Sequence, residues 1–168
     1  MIYEGRCWVF GANIPTDALV KSRYVFEGMD VIARHVLEDQ NPSFPVEVRP
    51  GDVVVAGNHF GQSSGRAIAT KALAATGIGC VVADSFARTF YRNCFEVGLP
   101  PLELTGATGL VADGDRVRVD LTTGTLSNLT TGRSASGAPA DPFLLDMLRA
   151  GGLIKLAAAR PELFLETS

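Results

Sequence analysis

Paired cysteines, long apolar runs and an excess of basic residues are all missing from this 168-residue sequence. The three cysteines, Cys7, Cys80 and Cys94, lie far apart, and only two histidines accompany them. This spacing is not typical of a zinc or iron–sulfur site, so we expect the isolated chain to contain no stoichiometric iron. An odd number of unpaired cysteines instead indicates reduced thiols.

The sequence also lacks the features that direct a chain to a membrane or to nucleic acid. No apolar run approaches the roughly 18 residues that a membrane span requires. Residues 1–6 do not show the basic and then apolar order of a signal peptide. The net charge of -3 offers no basic surface for a nucleic acid or an anionic membrane. We therefore predict a cytoplasmic protein with neither kind of partner.

The residues that are present predict one α/β domain over residues 1–168. With 46% apolar residues, a chain of this length can bury a substantial core. The apolar runs Val53–Ala56 and Cys80–Ala83 are typical of strands covered on both faces, and the alanine-rich helix 67–75 between them completes a parallel strand–helix–strand unit. The other predicted elements are a strand at Arg6–Phe10, helices at Met29–Leu37, Phe86–Val97 (capped by Ser85), Asp141–Arg149 and Leu153–Ala159, and an antiparallel hairpin containing Val117, Val119, Leu121, Leu126 and Leu129.

A polar, glycine-rich loop at 57–66 follows the first buried strand and precedes the helix. Its residues 61–65, Gly-Gln-Ser-Ser-Gly, fit the G-x-S-x-G pattern of a hydrolase nucleophile elbow, with Ser63 at the nucleophile position. Both histidines precede Ser63, whereas an α/β-hydrolase places its histidine after the serine. No lysine stands at the Walker position, so the loop is not a P-loop either.

The chemistry of this loop favours a small organic acid as ligand. Backbone N–H groups at a helix N-terminus attract anions. The guanidinium of Arg66 can hold a carboxylate through two parallel hydrogen bonds, with the hydroxyls of Ser63 and Ser64 beside it. The loop alone is equally compatible with an ordinary helix cap, in which Ser63 or Ser64 caps the helix and Arg66 lies in solvent.

Motifs along nearly the whole chain resemble the small subunit of 3-isopropylmalate dehydratase, a member of the aconitase superfamily. The resemblance extends over Trp8–Asp17, Arg49–Asp52, Val55–Gly61, Ser85–Asn93, Gly98–Pro100, Asp115–Asp120, Asn128–Gly132 and Leu148–Ile154. It implies an aconitase-type swivelling β/β/α domain, with a mixed parallel and antiparallel sheet flanked by helices. It also implies a separate large subunit that carries a [4Fe-4S] cluster, in a heterodimer or heterotetramer.

The resemblance assigns roles to residues of the loop, which in the family reads Gly-Cys-Gly-Ser-Ser-Arg-Glu-His. Aligned without a gap, Ser64 takes the position of the catalytic base and Arg66 that of the arginine that binds a substrate carboxylate. Ser63 and Gly65, beside them, are expected to contribute to substrate binding. Asp17 matches the Thr-Asp motif of the family's first loop, and Arg23 matches a basic residue after it.

Several positions of the loop depart from the family pattern. Gln62 stands for the cysteine, Ser63 for the glycine, Gly65 for the second serine, and residues 67 and 68 (Ala-Ile) for Glu-His. We therefore expect a hydro-lyase of leucine biosynthesis that acts on 3-isopropylmalate or a related acid such as dimethylmalate, citramalate, homoaconitate or aconitate. Apolar residues at 18–20 and 24–26 favour an alkyl substituent. The alternative is a non-catalytic binding or regulatory protein of the same fold.

Overall fold

Seven strands form one mixed sheet in the computed structural model, which describes residues 1–164. The strands are β1 (Ile2–Phe10), β2 (Val53–Ala56), β3 (Cys80–Ala83), β4 (Pro101–Glu103), β5 (Arg116–Asp120), β6 (Thr125–Asn128) and β7 (Ser134–Ser136). Their order is β4-β3-β2-β1-β5-β6-β7. Strands β1 to β4 pair in parallel, and β5, β6 and β7 continue the sheet in antiparallel fashion. The predicted mixed sheet is confirmed.

Strand β1 joins the two halves of the sheet. Its residues 7–10 pair with β2 in parallel, and its residues 2–6 pair with β5 in antiparallel fashion. The sequence predicted a strand only from Arg6 to Phe10, so β1 is longer than expected. Residues 2–6 contain Glu4, Gly5 and Arg6, which lack the apolar pattern of a strand, and their backbone pairing with β5 is a long-range contact that local sequence does not reveal.

The core lies on both faces of the parallel half of the sheet. Alternate residues of β2 and β3, such as Val54 and Val81, join one apolar cluster, while Val53 and Val82 join the other. All eight residues of these two strands are fully buried. The prediction of two strands covered on both faces is therefore confirmed, and it follows from the period of two along a strand.

Seven α-helices flank the sheet within the described residues. They are α1 (Thr16–Leu19), α2 (Met29–Ala33), α3 (Phe44–Glu47), α4 (Ile68–Ala75), α5 (Arg88–Val97), α6 (Pro142–Ala150) and α7 (Leu153–Ala159). Short 3-10 turns occur at Ser22–Tyr24, Ala107–Gly109 and Pro161–Leu163. Within residues 1–164, none of the helices has both the length and the apolarity needed to cross a bilayer.

Two helix predictions need correction. The helix predicted to reach Leu37 ends at Ala33, and Leu37 itself has a φ of 57° and donates its N–H to the carbonyl of Ala18. Ser85 does not cap α5, which begins at Arg88 after Ala87 without a side-chain cap. Instead, the hydroxyl of Ser85 accepts a hydrogen bond from the N–H of His59 at 2.9 Å. It thereby fixes the loop that follows β2.

Candidate functional site

The glycine-rich loop lies between β2 and α4, at the edge where the parallel strands end, and hydrogen bonds join it to residues 13–16. The N–H of Gly61 donates to the carbonyl of Ile14 at 2.8 Å, and the N–H of Thr16 donates to the carbonyl of Gln62 at 2.8 Å. The amide of Gln62 also donates to the carbonyl of Asn13 at 3.1 Å. The residue that stands for the family cysteine therefore attaches the loop to the segment leading into α1.

Aromatic rings form the floor of the loop. The Phe60 ring lies 5.3 Å from that of Phe90 and 6.1 Å from that of Phe86, centroid to centroid. Gly61 follows with a φ of 79°, and a Cβ built on it would lie 2.2 Å from Cγ of Phe90. Only glycine fits here, because both the backbone angle and the space exclude a side chain.

We expect Gly61→Ala to destabilise the fold by about 2–4 kcal/mol, since it combines a strained φ with overlap against a buried ring. Thermal or urea unfolding of the isolated chain measures this. Gly11→Ala is the matched control, because Gly11 has no positive φ and a Cβ there would meet nothing within 4 Å. Equal stability losses in the two variants would contradict the packing described for Phe90.

A cavity of about 260 Å³ opens beside the loop, where α1, the turn at 22–24 and the start of α4 meet. One group of its lining residues is polar: Thr16, Asp17, Ser22, Ser64 and Arg66. The other group is apolar: Val20, Val25, Phe26, Ile68 and Ala69. A larger cavity of about 490 Å³ lies along β4, but Glu103 is the only charged residue in its lining. The smaller cavity combines an arginine that has no salt bridge within residues 1–164 with serine and threonine hydroxyls, which suits an anion.

The structure brings three of the predicted site residues to this cavity. Ser64, half-buried, and Arg66, exposed, approach it from the loop, and Asp17 approaches it from α1. The N–H of Arg66 donates to Oγ of Ser64 at 3.3 Å, which keeps the two residues together. Among residues 1–164, the Arg66 guanidinium forms no salt bridge, so its charge is available to a ligand.

The serine cap of the helix-cap alternative is wrong, whereas Arg66 is exposed, as that alternative expects. Helix α4 begins at Ile68, its N-cap residue is Ala67, and no side chain caps it. Neither Ser63 nor Ser64 therefore satisfies the first amide groups of α4. Ile68 and Ala69, in the first turn, line the cavity, so the positive end of the helix dipole lies at the same place as Arg66.

Ser63 and Gly65 flank the cavity without lining it. Ser63 is exposed and has a φ of 88°, a conformation that favours the glycine of the family loop. The carbonyl of Gly65 accepts a hydrogen bond from Asn93 at 3.0 Å, and a Cβ at Gly65 would lie 3.1 Å from Cγ2 of Thr89. Gly65, which replaces the second serine of the family loop, therefore leaves room for the side chain of Thr89 on α5.

Arg23 lies away from the cavity. Its guanidinium donates to Oε1 of Glu38 at 3.1 Å and lies over the ring of Tyr24, 4.7 Å from the centroid. The predicted contact of Arg23 with substrate has no support from this placement and stays a prediction.

The cysteines of this chain do not fit an iron–sulfur cluster. Cys7 and Cys80 lie in the core on one face of the sheet, and Cys94 lies in the core on the other. All three are fully buried and unpaired, and burial raises the pKa of each thiol, to about 12 for Cys7. Across the described part of the chain, no group of three His, Cys, Asp or Glu residues is placed to hold a metal.

Four of the residues that line the cavity were not predicted from the sequence: Thr16, Ser22, Ile68 and Ala69. Two of them had a usable signal, since residues 68 and 69 start the helix directly after Arg66. The comparison with the family loop treats residue 68 only as a departure from Glu-His and does not extend to residue 69. Thr16 and Ser22 had no signal beyond their proximity to Asp17 and Arg23.

The fold and this loop are those of the aconitase C-terminal domain, whose family model matches residues 24–107. The isopropylmalate/citramalate isomerase small subunit of Methanocaldococcus jannaschii is 44% identical over 154 residues, which cover 91% of this chain and 92% of that protein. A 3-isopropylmalate dehydratase small subunit of Nautilia profundicola is 43% identical over 157 residues, covering 93% and 94%.

A solved structure agrees with these relatives. The crystal structure of 3-isopropylmalate dehydratase from Methanocaldococcus jannaschii superposes with a TM-score of 0.89 at 33% identity, covering 98% of each chain. The chain belongs to the family of 3-isopropylmalate dehydratase small subunits. The predicted swivelling domain and the predicted hydro-lyase class are confirmed.

Proposed function

We propose that this chain, with a large subunit, catalyses the reversible dehydration of an alkyl-substituted malate, and that 3-isopropylmalate is the preferred substrate. One observation carries the proposal: Ser64, Arg66 and the uncapped start of α4 line one cavity together with apolar side chains from the segment 20–26. A malate with an alkyl group likewise combines carboxylates with an apolar substituent. The names of the relatives support the same substrate class.

Arg66 binds a carboxylate of the substrate in this proposal. Removal of a proton from the carbon next to a carboxylate places negative charge on that carboxylate. A guanidinium with two parallel hydrogen bonds, together with the positive end of α4, stabilises this charge as it develops. The family's Glu-His pair is absent, and Ile68 lines the cavity instead. The side chain of Arg66 is exposed, so in this proposal the substrate carboxylate itself orients the guanidinium.

Ser64 removes the proton. A serine acts as a base only where nearby positive charge favours its alkoxide, and Arg66 and the dipole of α4 supply that charge. Its Oγ already accepts a hydrogen bond from the N–H of Arg66, which stabilises the negative form. Asp17, exposed at the cavity, is placed to accept a hydrogen bond from a substrate hydroxyl.

The partner in this proposal is a large subunit that covers the cavity. Phe26, one of the apolar residues that line the cavity, is 98% exposed, and contact with the large subunit would remove its ring from water. The cluster of that subunit, a [4Fe-4S] group, would act as a Lewis acid on the leaving hydroxyl. We also propose that residues 1–168 form a single domain, which the one continuous sheet supports. We propose a cytoplasmic location as well, which the three unpaired cysteines support.

The apolar residues that line the cavity set the expected order of substrates. Burial of each CH₂ contributes about 0.8 kcal/mol, so an isopropyl group gains about 1.6 kcal/mol over a methyl group, or roughly a tenfold selectivity. We expect kcat/KM of the complex to be highest for isopropylmalate, lower for dimethylmalate and citramalate, and lowest for homocitrate and citrate. Steady-state kinetics with this panel measures the order, and a preference for homocitrate or citrate would show that the apolar lining does not bind the substituent.

A further inference from the structure

An ionic cluster centred on Glu38 holds the segment that follows α1. Oε1 of Glu38 lies 2.6 Å from Nζ of Lys21 and 3.1 Å from Nη2 of Arg23, and Oε2 lies 2.7 Å from Nδ1 of His35. Lys21 also contacts Asp39 at 2.7 Å. One carboxylate therefore contacts three basic side chains, which come from two segments of the chain.

The segment held by this cluster is also a wall of the proposed substrate cavity. Ser22 lines the cavity, whereas its neighbours Lys21 and Arg23 do not. Both neighbours are instead directed to Glu38. The wall thus contains two cations that would suit an additional carboxylate on the substrate, yet neither contributes its charge to the cavity.

The ion pairs of the cluster form at neutral and mildly acidic pH, because Glu38 stays ionised there. Burial by itself would raise the pKa of Glu38, but hydrogen bonds from Lys21 and His35 lower that pKa to about 2. Glu38 is therefore ionised at any neutral or mildly acidic pH. The ring of Tyr24 stacks on that of His35, with centroids 4.1 Å apart, and the guanidinium of Arg23 lies over Tyr24. These contacts add rigidity to the same segment.

We infer that Glu38 is a positioning residue that selects substrates with an alkyl group over substrates with an additional carboxylate, because it holds Lys21 and Arg23 away from the cavity. The inference rests on the proposed function, since it concerns the same site. Glu38 lies outside the glycine-rich loop and does not line the cavity. Glu38 contacts no reacting atom and acts only through the two cations.

The test uses the complex with its large subunit and the variant Glu38→Gln, which keeps the shape of the side chain and removes its charge. Calorimetric titration measures the binding of two unreactive analogues, tricarballylate with three carboxylates and 2-isopropylsuccinate with two. In this variant Arg23 loses its carboxylate partner, whereas Lys21 keeps its contact with Asp39. The charge of Arg23 then attracts the third carboxylate, so we expect Kd for tricarballylate to fall about tenfold. Kd for 2-isopropylsuccinate should change by less than about twofold.

Further variants separate this effect from a general disturbance. Glu38→Asp, which keeps the charge, should restore much of the wild-type preference, and adding Lys21→Gln and Arg23→Gln to Glu38→Gln should abolish the gain for tricarballylate. Asp30→Asn is the matched control, because Asp30 is an exposed carboxylate on α2 that pairs with Arg34 and not with Lys21 or Arg23. It should leave both Kd values unchanged.

Two outcomes would overturn the inference: an unchanged Kd ratio in Glu38→Gln, or weaker binding of tricarballylate when Lys21 and Arg23 are replaced in the otherwise wild-type chain. The second result would show that the cations already face the cavity. Because binding is measured, the result does not depend on turnover. Failure of the wild-type complex to dehydrate isopropylmalate would contradict the proposed function instead.

Discussion

Replacement of Ser64 by alanine in the assembled complex is expected to lower kcat by about 10²- to 10⁴-fold while substrate still binds. The base is needed only as the proton leaves, so its removal raises the barrier of the chemical step and has little effect on the ground-state complex. Steady-state kinetics with isopropylmalate measures kcat, and a titration with 2-isopropylsuccinate shows that the cavity is intact.

Ser63→Ala is the matched control, because Ser63 is the neighbouring serine, is exposed and does not line the cavity. We expect it to change kcat by less than about threefold, the range of a surface substitution. Equal losses in the two variants, or a larger loss for Ser63, would mean that the gapless alignment of the loop is wrong. Ser63 would then regain the nucleophile position of the G-x-S-x-G pattern.

Replacement of Arg66 by lysine is expected to lower kcat/KM by about 10²-fold or more although the positive charge is kept. An ammonium group cannot form the two parallel hydrogen bonds of a planar guanidinium with a carboxylate, and these bonds strengthen as charge develops. No salt bridge within residues 1–164 holds the Arg66 side chain, so no other ionic contact of the described chain is lost.

Arg34→Lys serves as the comparison for Arg66→Lys, since Arg34 is an exposed arginine on α2 whose partner is Asp30. Its kcat/KM should stay within about twofold of the wild type. A near-normal kcat/KM in Arg66→Lys would show that Arg66 is a solvated surface residue and that the carboxylate is bound elsewhere.

Local sequence was sufficient to predict the strands that are continuous apolar runs. The runs at 53–56 and 80–83 formed strands with the predicted bounds, because a β-branched run buried on both faces has few alternatives. The three-residue strands β4 and β7 were missed, since their pairing depends on distant segments. Pro101 at the start of β4 is also an unusual strand residue.

The site was predictable to the extent that its residues are close in sequence. Ser64 and Arg66 lie in one short loop that precedes a helix. Asp17 is distant from them in sequence and was predicted only from the resemblance to the family. The position of Arg23 was not predictable in the same way. Its partner Glu38 lies 15 residues further along, beyond a turn whose geometry depends on the left-handed backbone of Leu37.

Reconstitution with a large subunit of the 3-isopropylmalate dehydratase family tests the central claim most directly. The measurement is the rate at which the unsaturated acid forms from 3-isopropylmalate with this chain alone, the large subunit alone, and the two mixed. We predict turnover only in the mixture, with a rate that saturates at a fixed ratio of the two chains. Turnover by this chain alone, or a mixture no faster than the large subunit, would contradict the account.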